Sequence, residues 1–351
     1  MNPSDPSART GSRIAVTGVS GLLGQRLLAL LDADDLVDTV VGLDVRDPAR
    51  GARKLDFRRC DVTTADLKSL LDDVDVIVHL AAIVGPIDDE ATARRVNVDA
   101  TRRLLDAASA VGVTRFVRAS SAAVYGAWPN NPVPLTEDAP LRPNPGFAPA
   151  LHDAECERLM LDWNDAHPGA RTVVLRIAPV VGAGVDTLFA NAALGHAPVT
   201  VRGARRPIQV VHVDDAAAAL ALAATGDLEG VYNVAADGWL AAEAAAAVVP
   251  AAPRRIALPA EFAERTLRTL WGSGLGDAPP EALPCLVHPW VISNDRLRAA
   301  GWEPRHTNED ALVLAGDPDA SHNPLPWVAA VGAVVAGAVG ATWWLSRRHR
   351  S

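Results

Sequence analysis

The sequence predicts an α/β protein built on a doubly wound parallel sheet, with a smaller second unit and a C-terminal transmembrane helix. Up to about residue 180, short apolar runs rich in β-branched residues alternate with helix-like segments. This alternation is typical of βαβ units and a parallel sheet. Beyond that point, Pro/Gly-rich stretches and alanine-rich helices follow without a regular order, and a charge-free segment lies near the end.

The composition limits the classes of protein to consider. The chain has 351 residues, of which 49% are hydrophobic and 21% charged, enough for one large domain or two ordinary ones with a sizeable core. The net charge of −9 argues against nucleic acid as a partner. The three cysteines are widely spaced and odd in number, which predicts a reducing compartment and no disulfide or metal framework.

The predicted elements follow in chain order after a loose leader over residues 1–11, which has no signal-peptide core. The expected strands are the apolar runs at 14–16, 39–43, 74–78, 114–117 and 172–175. The expected helices cover 22–31, 91–111, 154–166, 216–224 and 240–249, the last two being rich in alanine, the best helix former.

A glycine-rich turn joins the first strand to the first helix. Its glycines have the spacing GxxGxxG, a variant of the dinucleotide fingerprint that allows a tight turn, close backbone approach to a pyrophosphate and close packing of helix on strand. The phosphates would lie on the helix N-terminus, whose free N–H groups favour anions. The predicted cofactor-binding residues in this turn are Gly18, Ser20, Gly21, Leu22, Leu23 and Gly24.

Asp44 ends the second strand, 20 residues past Gly24, where the ribose-binding acid of such a fold belongs. A carboxylate there accepts a hydrogen bond from the ribose 2′-OH and repels a 2′-phosphate. The sequence therefore predicts a Rossmann-type domain that binds NAD in preference to NADP. Arg46, two residues later, is an argument against this preference, because an arginine at this place can accommodate a 2′-phosphate.

Further motifs follow in order along the chain: Cys60-Asp61-Val62, His79-Leu80-Ala81-Ala82, Asn97-Val98, and the segments 120–126, 175–182, 211–216 and 231–234. Together with the glycine turn and Asp44, this set resembles the NAD-dependent epimerase/dehydratase family of extended short-chain dehydrogenases/reductases, over roughly residues 12 to 305. The resemblance implies the fold, the cofactor NAD and further cofactor-binding positions at Asp61, Val62, Leu80, Ala81, Ala82, Asn97, Ser120 and Pro179.

The resemblance also implies a catalytic Ser or Thr, a Tyr that transfers a proton, and a Lys four residues later that lowers the pKa of the Tyr. Ser121 fits the serine. Aligned on Glu157, however, the tyrosine position is Pro149 and the lysine position is Asp153. Residues 126–231 contain no tyrosine, and no lysine follows Lys68.

Three interpretations of this loss remain open. Another group supplies the proton, with His152 as the first candidate because its pKa suits neutral pH, and Tyr125 as the second. Alternatively, the protein binds its ligand without turnover, or catalyses a step that needs no phenol. Structural alternatives are a solvated histidine at a helix start for His152, a turn residue for Tyr125, and a helix-start acid for Asp153.

Other polar clusters give weaker indications. The remaining histidines have no metal-ligand spacing, so no metal site is predicted. Asp214-Asp215 fits a structural turn of the resembled family better than a catalytic carboxylate pair. The arginines of 202–206 are expected either to meet a phosphate or carboxylate at the edge of the substrate domain or to lie on a solvated surface.

The C-terminal segment predicts a membrane anchor. Residues 317–326 are typical of a linker, 327–345 form a 19-residue charge-free span with tryptophans at both ends, and 346–351 are a basic tail. The alternatives are a buried soluble helix and a helix that enters the membrane without crossing it. The positive-inside rule would place the C-terminus in the cytoplasm, but dependence on cytosolic NAD favours a cytoplasmic catalytic domain with a short translocated tail.

These observations predict a Rossmann domain over 12–178, joined again by 208–236, and a discontinuous substrate domain over 179–207 and 237–316. The expected function is that of an NAD-dependent epimerase, dehydratase or reductase with non-standard acid/base groups, acting on a sugar nucleotide or a lipid-linked molecule at the membrane. The alternative is a catalytically inactive, membrane-tethered NAD-binding scaffold or sensor. The expected partners are a small-molecule substrate, the membrane and a second copy of the chain, without nucleic acid.

Overall fold

The computed structural model describes residues 11–85, 87, 89–196, 199–249, 256–274, 276 and 278–316. Its strands are β1 Ser12–Thr17, β2 Val37–Asp44, β3 Leu55–Arg59, β4 Val76–His79, β5 Arg115–Ser121, β6 Arg171–Ile177, β7 Val180–Val181, β8 Val199–Val201, β9 Val211–His212, β10 Gly230–Val234 and β11 Ile256–Leu258. Its helices are α1 Leu22–Ala33, α2 Leu67–Leu70, α3 Glu90–Arg94, α4 Ala100–Val111, α5 Ala148–Ala166, α6 Leu188–Ala193, α7 Val213–Thr225, α8 Ala242–Val248, α9 Ala260–Gly272, α10 Leu283–Val287, α11 Asp295–Ala299 and α12 Asn308–Ala315.

Seven strands form the main sheet in the order β10-β6-β5-β4-β1-β2-β3, and every pairing is parallel. The strand order reverses between β1 and β4, so the crevice for a ligand opens at the carboxyl ends of these two strands. The prediction of a doubly wound parallel α/β sheet is confirmed. Each of the five expected strands overlaps one of β1, β2, β4, β5 and β6; the expected strand 74–78 begins two residues before β4, and 114–117 begins one residue before β5.

Both faces of the sheet are buried. On one face, α1 and α7 pack over apolar side chains that include Val16, Val40 and Val78, which are fully buried. On the other face, α4 and α5 cover Ala15, Ile77 and Phe116. Burial on both faces explains why these strands are continuous apolar runs in the sequence and do not alternate.

The strand β3 is missing from the sequence-based expectation. Its segment, Leu-Asp-Phe-Arg-Arg, carries three charged residues, and β3 is the outermost strand on its side of the sheet. An edge strand is half-exposed, so it tolerates the charged residues that hide its apolar pattern.

The second half of the chain builds two short parallel pairs, β7–β9 and β8–β11, and returns β10 to the main sheet beside β6. The alanine-rich segments form α7 and α8 as expected. The proposed domain boundaries stay a prediction.

The predicted linker 317–326, span 327–345 and basic tail 346–351 lie outside the described residues. Among the residues that are described, no helix has the length and apolar character needed to cross a membrane.

Candidate functional site

The glycine-rich turn is shaped by positions where a side chain would collide with backbone. Gly18 has φ +73°, and a Cβ there would lie 2.8 Å from the Ala81 nitrogen and 2.9 Å from the Leu80 carbonyl carbon. A Cβ on Gly24 would lie 2.4 Å from the Gly18 oxygen. The turn thus packs directly on the end of β4 and on its own helix, as the fingerprint requires.

The N-terminus of α1 is open to an anion. Gly21 occupies the N-cap and provides no side chain to cap the helix, so the first-turn N–H groups, including those of Leu22 and Leu23, have no capping acceptor. Unsatisfied N–H groups and the helix dipole together favour a phosphate at this place. The residues present therefore fit the pyrophosphate of a dinucleotide.

Asp44 is 9% exposed at the end of β2, and its carboxylate is held in place by two backbone donors. The Ser20 N–H donates to Oδ2 and the Arg46 N–H donates to Oδ1, each over 3.0 Å. Ser20 Oγ also donates to the Arg46 carbonyl oxygen over 2.6 Å. Each carboxylate oxygen keeps a second lone pair, so Asp44 can still accept hydrogen bonds from ribose hydroxyls.

The loop after β4 is fixed by buried side chains on both sides. Thr17 Oγ1 accepts the N–H groups of Leu80 and Ala81, each over 3.2 Å. Asn97 holds Ile83 at both backbone atoms: its Oδ1 accepts the Ile83 N–H over 2.8 Å, and its Nδ2 donates to the Ile83 oxygen over 3.1 Å. Asn97 lies in a π-helical turn at Arg95–Asp99, a type of helix irregularity that is frequent at functional sites.

Other predicted cofactor positions lie along the same carboxyl edge of the sheet. Asp61 follows β3, and its pKa is lowered by the hydroxyl of Thr63 and, next, by the Thr63 N–H, which donates to the Asp61 carboxylate over 2.9 Å. Val62 beside it is buried, and Ala82 lies in the loop between β4 and α3. Pro179 joins β6 to β7 and accepts the Val211 N–H over 3.0 Å.

His79, at the end of β4, belongs to a buried polar network. Its Nδ1 lies 2.7 Å from Thr17 Oγ1 and its Nε2 lies 3.0 Å from Thr101 Oγ1. Thr101 donates to the Asn97 carbonyl oxygen, so Nε2 of His79 must carry the hydrogen, and Nδ1 accepts from the Thr17 hydroxyl. Burial, and to a smaller extent Arg118, holds the pKa of His79 well below its usual value, so the ring is neutral.

Ser120 and Ser121 differ in burial and in whether the hydroxyl proton is already used in a hydrogen bond within the protein. Ser120 is buried, and its hydroxyl donates to Glu157 over 2.6 Å. Ser121 is half-buried at the end of β5, and its Oγ accepts the Ala123 N–H over 3.1 Å. The Ser121 hydroxyl proton is therefore available to a substrate oxygen.

The geometry of Tyr125 favours a structural role. The side chain is 1% exposed, its hydroxyl donates to Asn233 and it accepts from Arg176, each over 2.8 Å. Burial raises the pKa of Tyr125, with Arg176 opposing the change. The catalytic role of Tyr125 stays a prediction that this arrangement does not support.

His152 does not lie on a solvated surface, and that alternative is wrong: the residue is 4% exposed, and its Nδ1 is buried without a hydrogen-bond partner. Burial, followed by the positive charge of Arg94, lowers its pKa. His152 therefore stays neutral near pH 7, the protonation state that a general base requires, and its Nδ1 is enclosed by the protein. No hydrogen bond joins His152 to Ser121 in the part of the chain that the structure describes, and the catalytic role of His152 stays a prediction.

Asp153 is not a helix-start acid. It is the sixth residue of α5, beyond the first turn, and its Oδ1 accepts from Arg118 Nη2 over 2.9 Å. Sequence reasoning missed Arg118 as a site residue. The signal was a charged residue inside the apolar run of β5, because a buried cation needs a buried acceptor.

The arginines of 202–206 line a pocket of about 620 Å³ together with Trp239, Val133 and Pro289. Burial lowers the pKa of Arg206 to about 10.

Asp215 has a structural role, since its carboxylate accepts the N–H groups of Arg305 and His306. No group of three His, Cys, Asp or Glu side chains in the described residues has metal-site geometry.

Comparisons with known proteins agree with this geometry. The model of the NAD dependent epimerase/dehydratase family matches residues 14–235. The 3-diazoavenalumate denitrifying reductase of a Streptomyces species is 29% identical over 332 residues, covering 84% of this chain and 96% of that enzyme. The complex of Thermus thermophilus UDP-glucose 4-epimerase with NAD is 25% identical, with a TM-score of 0.67 over 87% of this chain and 98% of the epimerase.

An uncharacterized protein of Mycobacterium tuberculosis (strain ATCC 25618 / H37Rv) is 29% identical over 238 residues, which are 65% of this chain and 63% of that protein. The match thus spans less than two thirds of that relative. The family model, by contrast, covers more than half of the present chain and includes the glycine turn, Asp44 and Ser121. The chain belongs to the NAD dependent epimerase/dehydratase family.

Proposed function

We propose that this protein is an NAD-dependent oxidoreductase or epimerase that acts on a sugar nucleotide. The observation that carries the proposal is the open N-terminus of α1 above the glycine turn, with Asp44 held beside it by Ser20 and Arg46. The sugar-nucleotide substrate is supported by the likeness to UDP-glucose 4-epimerase. The reductase likeness supports the broader class of hydride-transfer chemistry.

The chain's own residues divide the work of holding the cofactor. The N–H groups at the start of α1 bind the pyrophosphate. Asp44 accepts a hydrogen bond from the 2′-OH of the ribose that carries the adenine. Asp61 and Val62 lie beside the adenine. The loop 80–82 and Asn97 line the nicotinamide half. NAD, when bound, accepts a hydride from the substrate and can return it.

The residues proposed to act on the substrate are Ser121, which donates a hydrogen bond from its hydroxyl to the substrate oxygen, and His152, which supplies the acid/base group in place of the missing tyrosine. The lowered pKa of His152 keeps the ring neutral and able to take a proton. Catalysis would thus run with non-standard groups.

A second candidate function is a catalytically inactive NAD-binding scaffold or sensor. It is favoured by Pro149 and Asp153 at the positions of the catalytic tyrosine and lysine, and by the buried hydroxyl of Tyr125. The two candidates share the cofactor site, so turnover separates them.

We further propose that residues 327–345 anchor the protein to a membrane, with the NAD-binding domain in the cytoplasm, and that a lipid-linked substrate is an alternative to a soluble sugar nucleotide. The charge-free sequence and its flanking tryptophans support the anchor. A C-terminal tag that protease cleaves only after lysis would contradict this topology, because a translocated tail is accessible in intact cells.

Calorimetric titration with NAD tests the cofactor. We expect binding by the wild type and a loss of about tenfold or more in affinity for Asp44→Ala, because a hydrogen bond to a charged group contributes about 1.5–3 kcal/mol. Asp56→Ala on the neighbouring strand, whose carboxylate pairs with Arg58 outside the turn, is the matched control. Absence of binding at millimolar NAD would remove the proposal.

Two readouts with UDP-glucose and NAD test turnover: the absorbance of reduced nicotinamide, and chromatographic detection of a new sugar nucleotide. The second is needed because an epimerase returns the hydride and accumulates no reduced nicotinamide. We expect a signal in the wild type that falls about 100-fold or more in His152→Ala, because general acid–base catalysis contributes about 10²–10⁴-fold. Full activity in that variant would refute the role of His152, whereas NAD binding without turnover of any sugar nucleotide would favour the scaffold.

A further inference from the structure

Two histidine rings are stacked where the end of the described chain meets the start of α7. His212 is the last residue of β9, and His306 lies between α11 and α12. Their ring centroids are 4.0 Å apart, with an angle of 34° between the ring planes. The two side chains are only 9% and 23% exposed. A positive charge on either ring therefore acts directly on the other, with little water between them.

The ring of His306 is oriented by a buried carboxylate. Its Nδ1 lies 2.9 Å from Asp215 Oδ2, and the Asp215 side chain is 1% exposed. The same carboxylate accepts the backbone N–H groups of Arg305 and His306. Because a carboxylate only accepts, Nδ1 of His306 carries the hydrogen and donates it. A positive charge on His306 would thus have an anion in direct contact.

The ring of His212 has the opposite requirement. His212 is the N-cap of α7, and its Nδ1 accepts the Asp214 N–H over 3.3 Å. An accepting nitrogen carries no hydrogen, so a proton added at Nδ1 would turn one donor against another. The ring has little room to move aside, because its Nε2 lies 3.2 Å from where a Cβ of Gly182 would be. Protonation of His212 therefore removes the helix cap and places a cation against the ring of His306.

We propose that the His212–His306 stack is an acid-sensitive latch. With His212 neutral it holds residues 305–315 on the start of α7, and protonation of His212 increases the population in which this segment opens. The inference needs no cofactor and goes beyond the proposed function. The segment leads directly to residues 317–351, so its opening lengthens the link between the folded domain and that part of the chain.

The charges around the stack set the direction of the pH dependence. Burial, and next His306, lower the pKa of His212, while Asp214 and Asp215 oppose this change. The closed segment thus binds the proton less readily than the open one, and opening is favoured as the pH falls below about 6.5, the value of an unperturbed histidine. The charged groups that face the stack are Arg26 on α1, Asp214 and Asp215 on α7, Arg305 beside His306, and Asp310 on α12.

The test is amide hydrogen exchange of the full-length protein, measured by mass spectrometry at pH 7.5, 6.5 and 5.5 and corrected for the pH dependence of the chemical exchange step. We expect the protection of residues 308–315 to fall about fivefold or more between pH 7.5 and pH 5.5, the loss that removal of an N-cap acceptor typically causes. Strand β5 in the core should keep its protection over this range.

Two variants remove one ring each. His212→Asn provides a side-chain oxygen that accepts the Asp214 N–H and does not titrate, so it should keep the protection seen at pH 7.5 and lose the dependence on pH. His306→Gln removes the second ring and should weaken that dependence. His288→Asn, at the end of α10 and outside the stack, is the matched control and should retain the wild-type profile.

Protection of residues 308–315 that does not change with pH in the wild type would overturn the inference. So would a loss at pH 5.5 that persists in both His212→Asn and His306→Gln, or one that β5 shares, because the whole fold would then open. If His212→Asn does not fold, His306→Gln alone decides, and a wild-type profile in that variant counts against the latch.

Discussion

At the scale of single residues, the site depends on places where backbone must approach backbone. Gly18 is the clearest of them, because it combines a left-handed φ of +73° with backbone atoms of the β4 loop less than 3 Å from where a Cβ would be. Neither constraint can be relieved by a rotamer change. The glycine is therefore required by the geometry of the turn itself.

We predict that Gly18→Ala lowers the free energy of unfolding by about 2 kcal/mol or more, since strain at positive φ adds to overpacking. It should also weaken NAD binding, because relief of the clash moves the turn. Urea denaturation and calorimetry measure the two effects. Gly51→Ala, where a Cβ would meet nothing within 4 Å, should change stability by less than about 1 kcal/mol, and equal effects at the two glycines would contradict the argument.

The single residues that the sequence could identify are those with a local signature. The glycine spacing, Asp44 at a strand end and Ser121 four residues before Tyr125 follow from short-range rules, and the structure places all of them at the carboxyl edge of the sheet. Arg118 and Asp153 are 35 residues apart and meet only because β5 packs under α5. No local pattern encodes that contact, so their pairing needed the structure.

At the scale of elements, the buried carboxylate of Glu157 links α5 to two strands of the sheet. Glu157 accepts from Arg176 Nη2 on β6 over 2.7 Å and from Ser120 Oγ on β5 over 2.6 Å. Both carboxylate oxygens are engaged, and all three side chains are buried. This contact fixes the position of α5, and hence of His152 and Asp153 one turn earlier, relative to Ser121.

We predict that Glu157→Gln lowers the free energy of unfolding by about 3–5 kcal/mol, because it leaves the buried Arg176 cation without a counter-charge. Guanidinium or urea denaturation at pH 7 measures the change. Asp162→Asn on the outer face of the same helix breaks only an exposed pair at 4.0 Å and should cost less than about 1 kcal/mol. Similar losses in the two variants would mean that the buried pair does not anchor the helix.

Whether an element could be predicted depended on where it lies. The central strands are buried on both faces, so their sequences are uninterrupted apolar runs that identify them directly. The edge strand β3 and the short strands β8 and β11 lack this constraint, and they escaped prediction. Their positions are set by pairing with distant segments and not by their own composition.

At the scale of the whole molecule, residues 302–308 pack against the segment that leads into α7. Trp302 Nε1 donates to the Asp215 carbonyl oxygen over 3.2 Å, and Asn308 accepts the Val210 N–H over 2.9 Å. The Asp215 carboxylate also accepts from His306. These buried contacts tie the end of the described chain to the start of α7, so the segment up to α12 belongs to the folded unit.

A chain that ends at Gly316 should therefore fold and bind NAD like the full-length protein, because it keeps the contacts that Trp302, His306 and Asn308 make with the start of α7 and with Val210. If residues 327–345 anchor the protein, this shortened chain should not float with lipid vesicles in a density gradient, whereas the full chain should. A chain that ends at Gly301 loses Trp302 and Asn308, exposes the core beneath α7 and should lose cooperative unfolding. Vesicle binding by the chain ending at Gly316 would place the membrane contact on the folded domain and refute the C-terminal anchor.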